Sequence, residues 1–271
     1  MKLEVLMSCM NQNNFDLTEN MNLTTDILII NQTNENRYDE RTINGNKQRM
    51  ITNTQKGLSK SRNELLLNMN GDIGILCDDD VIYEKDYEKT ILTAFEKLKN
   101  ADVVVFNINR INSKIQNRKI MTKIKQAPKH KNYCSVQIAF KKESFYRNNL
   151  FFNVNFGAGS KYSSGEESLL LRLANKKNLK IYEYPKTIAT VDDNESTWFK
   201  GYNEKFFYDK GAWLKEAYPK TWFIFIWYFI LKFYNKCELS SFQIIKYLFN
   251  GIKGYKNNLS FKEFEKCDVN V

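Results

Sequence analysis

"GILCDDDV", residues 74–81, sets three carboxylates directly after a short apolar run. The run reads as a buried strand, and a strand end has no structural need for adjacent like charges. In an extended chain alternate side chains share a face, so Asp78 and Asp80 point together while Asp79 points away. Two convergent carboxylates, with coordination positions left over, suit a hard divalent cation. Ligands of parallel sheets gather at the carboxyl ends of strands, and these acids stand at such an end. A cation and a diphosphate completing its shell would offset the repulsion. The plain alternative is a solvated acidic turn.

Outward from this stretch the chain alternates strand-like and helix-like pieces. Residues 3–9, 25–32, 48–54, 72–79 and 101–108 read as strands, and 15–22, 57–71 and 83–100 as helices, with Ser59 a candidate cap. Apolar strands separated by amphipathic helices indicate an α/β layer with a mostly parallel, Rossmann-like central sheet flanked by helices. The stretch 110–133 carries eight Lys or Arg residues and no acid, so a solvated connector or hairpin is expected there. A strand resumes at 132–140, and 165–178 reads as a helix with Glu166 and Glu167 in its first turn and lysines in its last, as the helix dipole prefers. Two short strands are expected at 179–185 and 187–192.

Composition bounds the function. With 271 residues, 42% hydrophobic and 27% charged, the chain is globular and long enough for one large domain with an appendage. Its formal charge of +10 favours phosphates, nucleic acid or an anionic membrane as partners. The five cysteines form no CxxC pair and fit scattered thiols of a reducing compartment. The amino terminus has too short an apolar stretch for a signal peptide, and a cytoplasmic location is expected.

Beyond Pro219 the texture changes. Ten consecutive apolar or aromatic residues run from Trp222 to Leu231, short of the roughly 18–20 that span a bilayer. Lys220, Lys232 and Lys236 flank them. Residues 219–271 are therefore expected to form a C-terminal helical appendage to a 1–218 domain. That appendage either packs on the core or lies peripherally on an anionic membrane at the inner face of the cell.

Four stretches in order resemble the nucleotide-sugar-dependent glycosyltransferases of family two, with the GT-A fold. They are "LEVLMSCMNQ" (3–12), "GLSKSRNELLLNMNGDIGILCDDDV" (57–81), "GEESLLL" (165–171) and "STWFKGYNEKFFYDKGAW" (196–213), the last like small bacterial enzymes of surface-polysaccharide synthesis. The resemblance implies transfer of a sugar, with inversion, from a UDP-linked donor to a saccharide or lipid-linked acceptor. It implies Mn²⁺ or Mg²⁺ on Asp80, with Asp78 sharing the metal or contacting the ribose. Arg62 is placed to pair with Asp79 or to reach the nucleotide, and a purely structural Arg–Asp pair is equally admitted. Glu167 stands where the family has an aspartate base, with Glu166 beside it. The second strand ends "IINQTN" instead of the family's Asp-Asp-Gly-Ser run, leaving Asn31 or Gln32 to recognise the base. The Gln-x-x-Arg-Trp motif of processive synthases is absent, which implies one sugar added per encounter. Lys205 and Lys210 are candidates for the diphosphate, and Trp198 and Tyr202, with Phe206, for an aromatic acceptor platform. The single histidine, His130, is expected in solvent.

Two other classes fit less well. A basic nucleic-acid-binding protein lacks any recognition helix, zinc-ligand set or aromatic RNA signature, and leaves both acidic clusters unexplained. No nucleic-acid partner is expected. A nucleotidyltransferase should carry a glycine-rich triphosphate loop near the amino terminus, where "MSCMNQNN" has no glycine.

Overall fold

The computed structural model describes residues 1–112, 120–192 and 201–268. The first half comprises β1 (Leu3–Met10), β2 (Asp26–Gln32), β3 (Arg37–Ile43), β4 (Asn46–Asn53), α1 (Leu58–Asn68), β5 (Ile73–Cys77), β6 (Val81–Tyr83), α2 (Tyr87–Lys97) and β7 (Val103–Ile111). Then come β8 (Lys125–Gln126), β9 (Ile138–Lys141), α3 (Lys142–Arg147), α4 (Glu166–Lys176) and β10 (Ile181–Asp192). Four helices close the chain: α5 (Glu204–Ala217), α6 (Trp222–Phe233), α7 (Ser241–Lys256) and α8 (Phe261–Asp268).

The strands form one sheet in the order β3-β4-β2-β1-β5-β9-β7-β10-β6, with β8 paired to β10. β1, β2, β4, β5, β7 and β10 share one direction, and β3, β6, β8 and β9 oppose them. Alternation along the buried strands builds a core on each face. Val5, Met7, Ile27, Ile29 and Ile75 meet Tyr87, Ile91 and Phe95 of α2 on one side. Leu6, Leu28, Ile30 and Leu76 meet α1, α3 and α4 on the other. From β1 the chain builds outward through β2 and β4, then returns to lay β5 on the other flank of β1. The carboxyl ends of β1 and β5 thus border the point where strand order reverses, the usual crevice for a ligand in such sheets.

Several local expectations need correction. The helix expected at 15–22 is a single 3₁₀ turn, Asp16–Thr18. β3 has no apolar run to announce it because most of its side chains are exposed. An Asn44–Gly45 turn with φ of 52° and 82° joins it to β4 in an antiparallel hairpin. The two strands expected at 179–192 are one, with a register irregularity around Pro185, which has no N–H for the ladder. The basic stretch is not a free connector in its described part. Asn107 bonds the Met121 backbone through both halves of its amide at 3.0 Å. Lys125 and Lys131 reach the buried Glu183 at 3.2 and 2.6 Å. Backbone pairing and two ion pairs hold it to the edge formed by β10.

The C-terminal helices have a core of their own. α6 buries Ile226, Phe229, Ile230 and Phe233 against Phe207 and Leu214 of α5 and Ile244, Leu248 and Ile252 of α7. Contact between α5 and α7 is at backbone distance: a Cβ on Gly211 would stand 2.1 Å from the Leu248 carbonyl oxygen. The core reading of α6 therefore holds for one of its faces. Among the described residues no helix is long and apolar enough to cross a membrane.

Candidate active site

Arg62 gathers the site. α1 is preceded by Gly57, whose φ of 119° is open to glycine and whose N–H donates to Gln32 Oε1 at 2.7 Å. Leu58 N donates to the Ala158 carbonyl at 2.9 Å, and Ser59 Oγ, buried in the first turn and not capping it, to that of Phe156 at 2.5 Å. The start of α1 is thus fixed between the end of β2 and the loop before α4. Arg62, one turn on, is 2% exposed and lies over the Phe152 ring. Its Nη2 donates to Asp78 Oδ1 at 3.1 Å, and its Nη1 to Glu166 Oε1 at 3.1 Å and Glu167 Oε1 at 2.9 Å. Asp78 is thus one partner of Arg62, and two further carboxylates 104 and 105 residues away share the same guanidinium. Burial by itself lowers the pKa of Arg62, but the charges of Glu167, Asp78 and Glu166 outweigh it and raise it.

The acidic strand end is anchored at Asp78 and leaves an orphaned oxygen at Asp80. Asp78 also accepts from Ser135 Oγ at 2.9 Å, a contact that nothing in the sequence signals. Asp79 is exposed. Asp80 is half-buried, and its Oδ1 is enclosed with no hydrogen-bond partner. Desolvation first, then the charge of Asp78, push its carboxyl up to about 6. An orphaned carboxylate oxygen beside further acids is what a hard cation would satisfy, so these residues fit one. Among the described residues no group of three or more such side chains is arranged to hold a metal ion, so the residues that would hold one are Asp78 and Asp80.

α4 presents the second pair of acids. Gly165 precedes it at φ 108°, where a Cβ would stand 2.4 Å from Trp213 Cδ1. The Trp213 indole donates to Ser168 Oγ at 2.9 Å, clamping this turn to α5. Glu166 points inward, 5% exposed, with Oε2 unpartnered. A Cβ on Gly157 would lie 3.3 Å from its carboxyl carbon, so that glycine leaves it room. Desolvation, then the neighbouring Glu167 charge, raise its pKa against the opposing pull of Arg62. The side chain of Glu167 is 19% exposed. The two acids therefore divide into a buried one and an accessible one.

The remaining candidates distribute unevenly. Lys210 is half-buried; its Nζ donates to Ser164 Oγ at 3.1 Å, and desolvation lowers its pKa against Asp209, Glu166 and Glu167. Lys205 is held by the buried Asp209, which also accepts from Ser163 N at 3.0 Å and Ser163 Oγ at 2.6 Å. Both lysines thus stand beside the turn that carries the acids, and no sequence signal pointed to Asp209. Asn31 is fully buried, and its amide is spent on the loop after β1: Gln12 N donates to it at 3.0 Å and it donates to Gln12 O at 2.7 Å. Gln32 is committed to Gly57 N. Asn31 thus spends both ends of its amide within the protein, and Gln32 spends its amide oxygen. Tyr202 packs on Phe206 and Phe233 within the helical core, with ring centroids 5.1 and 5.0 Å away. Trp198 lies outside the described residues. His130 is exposed, 3.5 Å from Arg172 and away from the acids.

Residues 30–163 match the family model described as glycosyl transferase family 2. No curated protein matches the sequence. Among solved structures, S. aureus TarS 1–349 in complex with UDP-GlcNAc superposes with a TM-score of 0.60 at 15% identity, covering 97% of this chain and 77% of that one. S. aureus TarS gives 0.58 at 14% identity over 97% of this chain and 46% of its own. The 1–349 complex with UDP gives 0.55 at 12%, over 97% and 77%. At these identities the likeness is one of fold. Residues 30–163 are thus similar to glycosyl transferase family 2, and nearly the whole length of the chain shares the GT-A fold of these structures.

Proposed function

We propose that the protein transfers a single hexosyl unit, with inversion, from a UDP-linked sugar to a saccharide or lipid-linked acceptor in surface-polysaccharide synthesis. The observation that carries this is Arg62, which draws the acid of the β5 end and both acids of α4 onto one guanidinium. Donor-side and acceptor-side groups of a displacement at an anomeric carbon then lie within one side chain of each other. Support for the donor comes from the structural relatives, solved with UDP and with UDP-GlcNAc.

Asp80 and Asp78 are the residues that would hold Mn²⁺ or Mg²⁺; such a cation neutralises a departing diphosphate. Glu167, the accessible acid, takes the proton of the acceptor hydroxyl, and a carboxylate suffices because the proton leaves only as the new bond forms. Glu166 remains behind it and, with Arg62, fixes its position. Lys210, beside the same turn, adds positive charge where the diphosphate departs. The acceptor is presented near an anionic membrane, which the chain approaches from the cytoplasmic side as a peripheral protein.

Calorimetry decides the donor side. UDP and UDP-GlcNAc are titrated into the parent and into Asp80→Ala, with Mn²⁺ or with EDTA. Binding is expected to require the cation and to be lost in the variant. Equal affinity in EDTA would overturn the metal-bridged donor site.

A further inference from the structure

α6 has two apolar faces, and among the described residues only one of them is covered. Ile226, Phe229, Ile230 and Phe233 face α5 and α7. Phe223, Ile224, Trp227, Tyr228, Leu231 and Tyr234 recur at helical spacing on the opposite side and are exposed, Trp227 by 68% and Leu231 by 74%. A contiguous stripe of this size is unusual on a soluble surface without a partner. α7 continues the pattern. Phe242, Lys246, Phe249 and Lys253 are spaced to share one face, and the Phe249 ring meets Trp222 at the start of α6, 5.5 Å between centroids. Every one of these four is open to solvent.

Charge selects the occupant. Between residues 219 and 256 the chain has six lysines and a single acid, Glu238. Lys220, Lys232 and Lys236 are exposed around the two ends of α6, and Lys232 Nζ lies 5.3 Å from the Tyr228 ring centroid. A second copy of this chain would bring the same lysines to the contact and be repelled. An anionic bilayer surface accepts the aromatics at headgroup depth and the lysines at its phosphates.

We propose that the exposed faces of α6 and α7 form a docking surface for an anionic lipid bilayer, with α6 lying in the interface plane. The proposal rests on the reading of a membrane-near acceptor and names the face that meets the membrane. It leaves the acids of α4 and β5 off the bilayer-facing surface of these helices.

The test is co-sedimentation of the full chain with vesicles of phosphatidylcholine alone and of phosphatidylcholine mixed with phosphatidylglycerol, at low and high salt. Binding is expected to the mixed vesicles only and to weaken with salt. The double variant Trp227→Asp/Leu231→Asp should lose at least about tenfold in binding. Lys232→Glu/Lys246→Glu should lower both binding and its salt dependence. Circular dichroism checks the fold of each variant. Turnover of donor in solution is a separate readout, so failure of the transferase reading and failure of docking are distinguishable. No binding to mixed vesicles at low salt overturns the proposal, as does undiminished binding by Trp227→Asp/Leu231→Asp. Light scattering that finds a lipid-free dimer, dispersed by the same double variant, assigns the face to a second copy instead.

Discussion

At the scale of single residues the site is a division of labour among like charges. Glu166 and Glu167 are neighbours in sequence, yet the first is 5% exposed with an unpartnered oxygen and the second has a side chain 19% exposed. A base must reach its acceptor, so Glu167→Gln is expected to cut single-turnover transfer by about 10²–10⁴-fold with donor affinity unchanged. Glu166→Gln should retain far more activity. The reverse ranking would move the base one residue earlier, and near-normal transfer by both would leave inversion without a base. Asp80 makes a different prediction. Its folded pKa of about 6 is above its ordinary 3.8, so the folded chain holds this proton more tightly than the unfolded one. In the metal-free protein its contribution to stability is therefore lost as pH rises from about 4 to about 6. Asp80→Asn removes that penalty and should stabilise the metal-free protein at pH 7 by roughly 1 kcal/mol, since solvent reaching the half-exposed side chain screens part of the cost. Urea unfolding at pH 5 and pH 7 in EDTA measures it. A variant no more stable than the parent at pH 7 would mean that Asp80 pays no such cost. Neither effect was legible from "DDD" and "GEE", because sequence gives neighbours along the chain and not burial.

Among elements, glycines decide how closely helices and turns approach. On α7, a Cβ at Gly251 would stand 1.9 Å from the Tyr208 carbonyl oxygen of α5, and one at Gly254 would collide with the Tyr208 hydroxyl. Helix propensity alone favours Ala over Gly by about 1 kcal/mol. Here Gly251→Ala is expected to reverse that sign and destabilise by about 1–3 kcal/mol, because the atoms it would meet are the Tyr208 backbone, which cannot yield without separating the helices. Thermal unfolding reads the sign directly, and a raised melting temperature would refute the close crossing. Gly165 plays the same part at α4, where the Trp213 ring fills the space of a side chain. "FQIIKYLFNGIKGYK" and "GEESLLL" show glycines at these points, but only the partner helix explains why nothing larger stands there.

Over the whole molecule, the two textures of the sequence became two kinds of core. Apolar runs such as "EVLMSC", "DILII" and "GILC" bury side chains on both faces, which requires helices above and below and so a mostly parallel sheet. That much the chain dictates alone, as it does the acids at the β5 end, since a strand followed by charge must place that charge at the sheet's rim. The family resemblance was equally legible, because it rests on local motifs in order. The hairpin of β3 and β4 was also written in the chain, in Asn44–Gly45, but its polar strand lacked the apolar alternation by which strands are read. Tertiary structure alone decided the rest. Arg62 pairs with Asp78 and with acids over a hundred residues away, so its partners depend on where α4 docks and not on spacing. Asn31 turned inward because the loop after β1 folds back over β2 and takes both ends of its amide. For α6, composition made core and interface equally plausible, and packing against α5 and α7 assigned one face to the core and left the other exposed. Local patterns fix what a segment can become, while contacts between distant segments fix which of its groups are used up and which are left for chemistry.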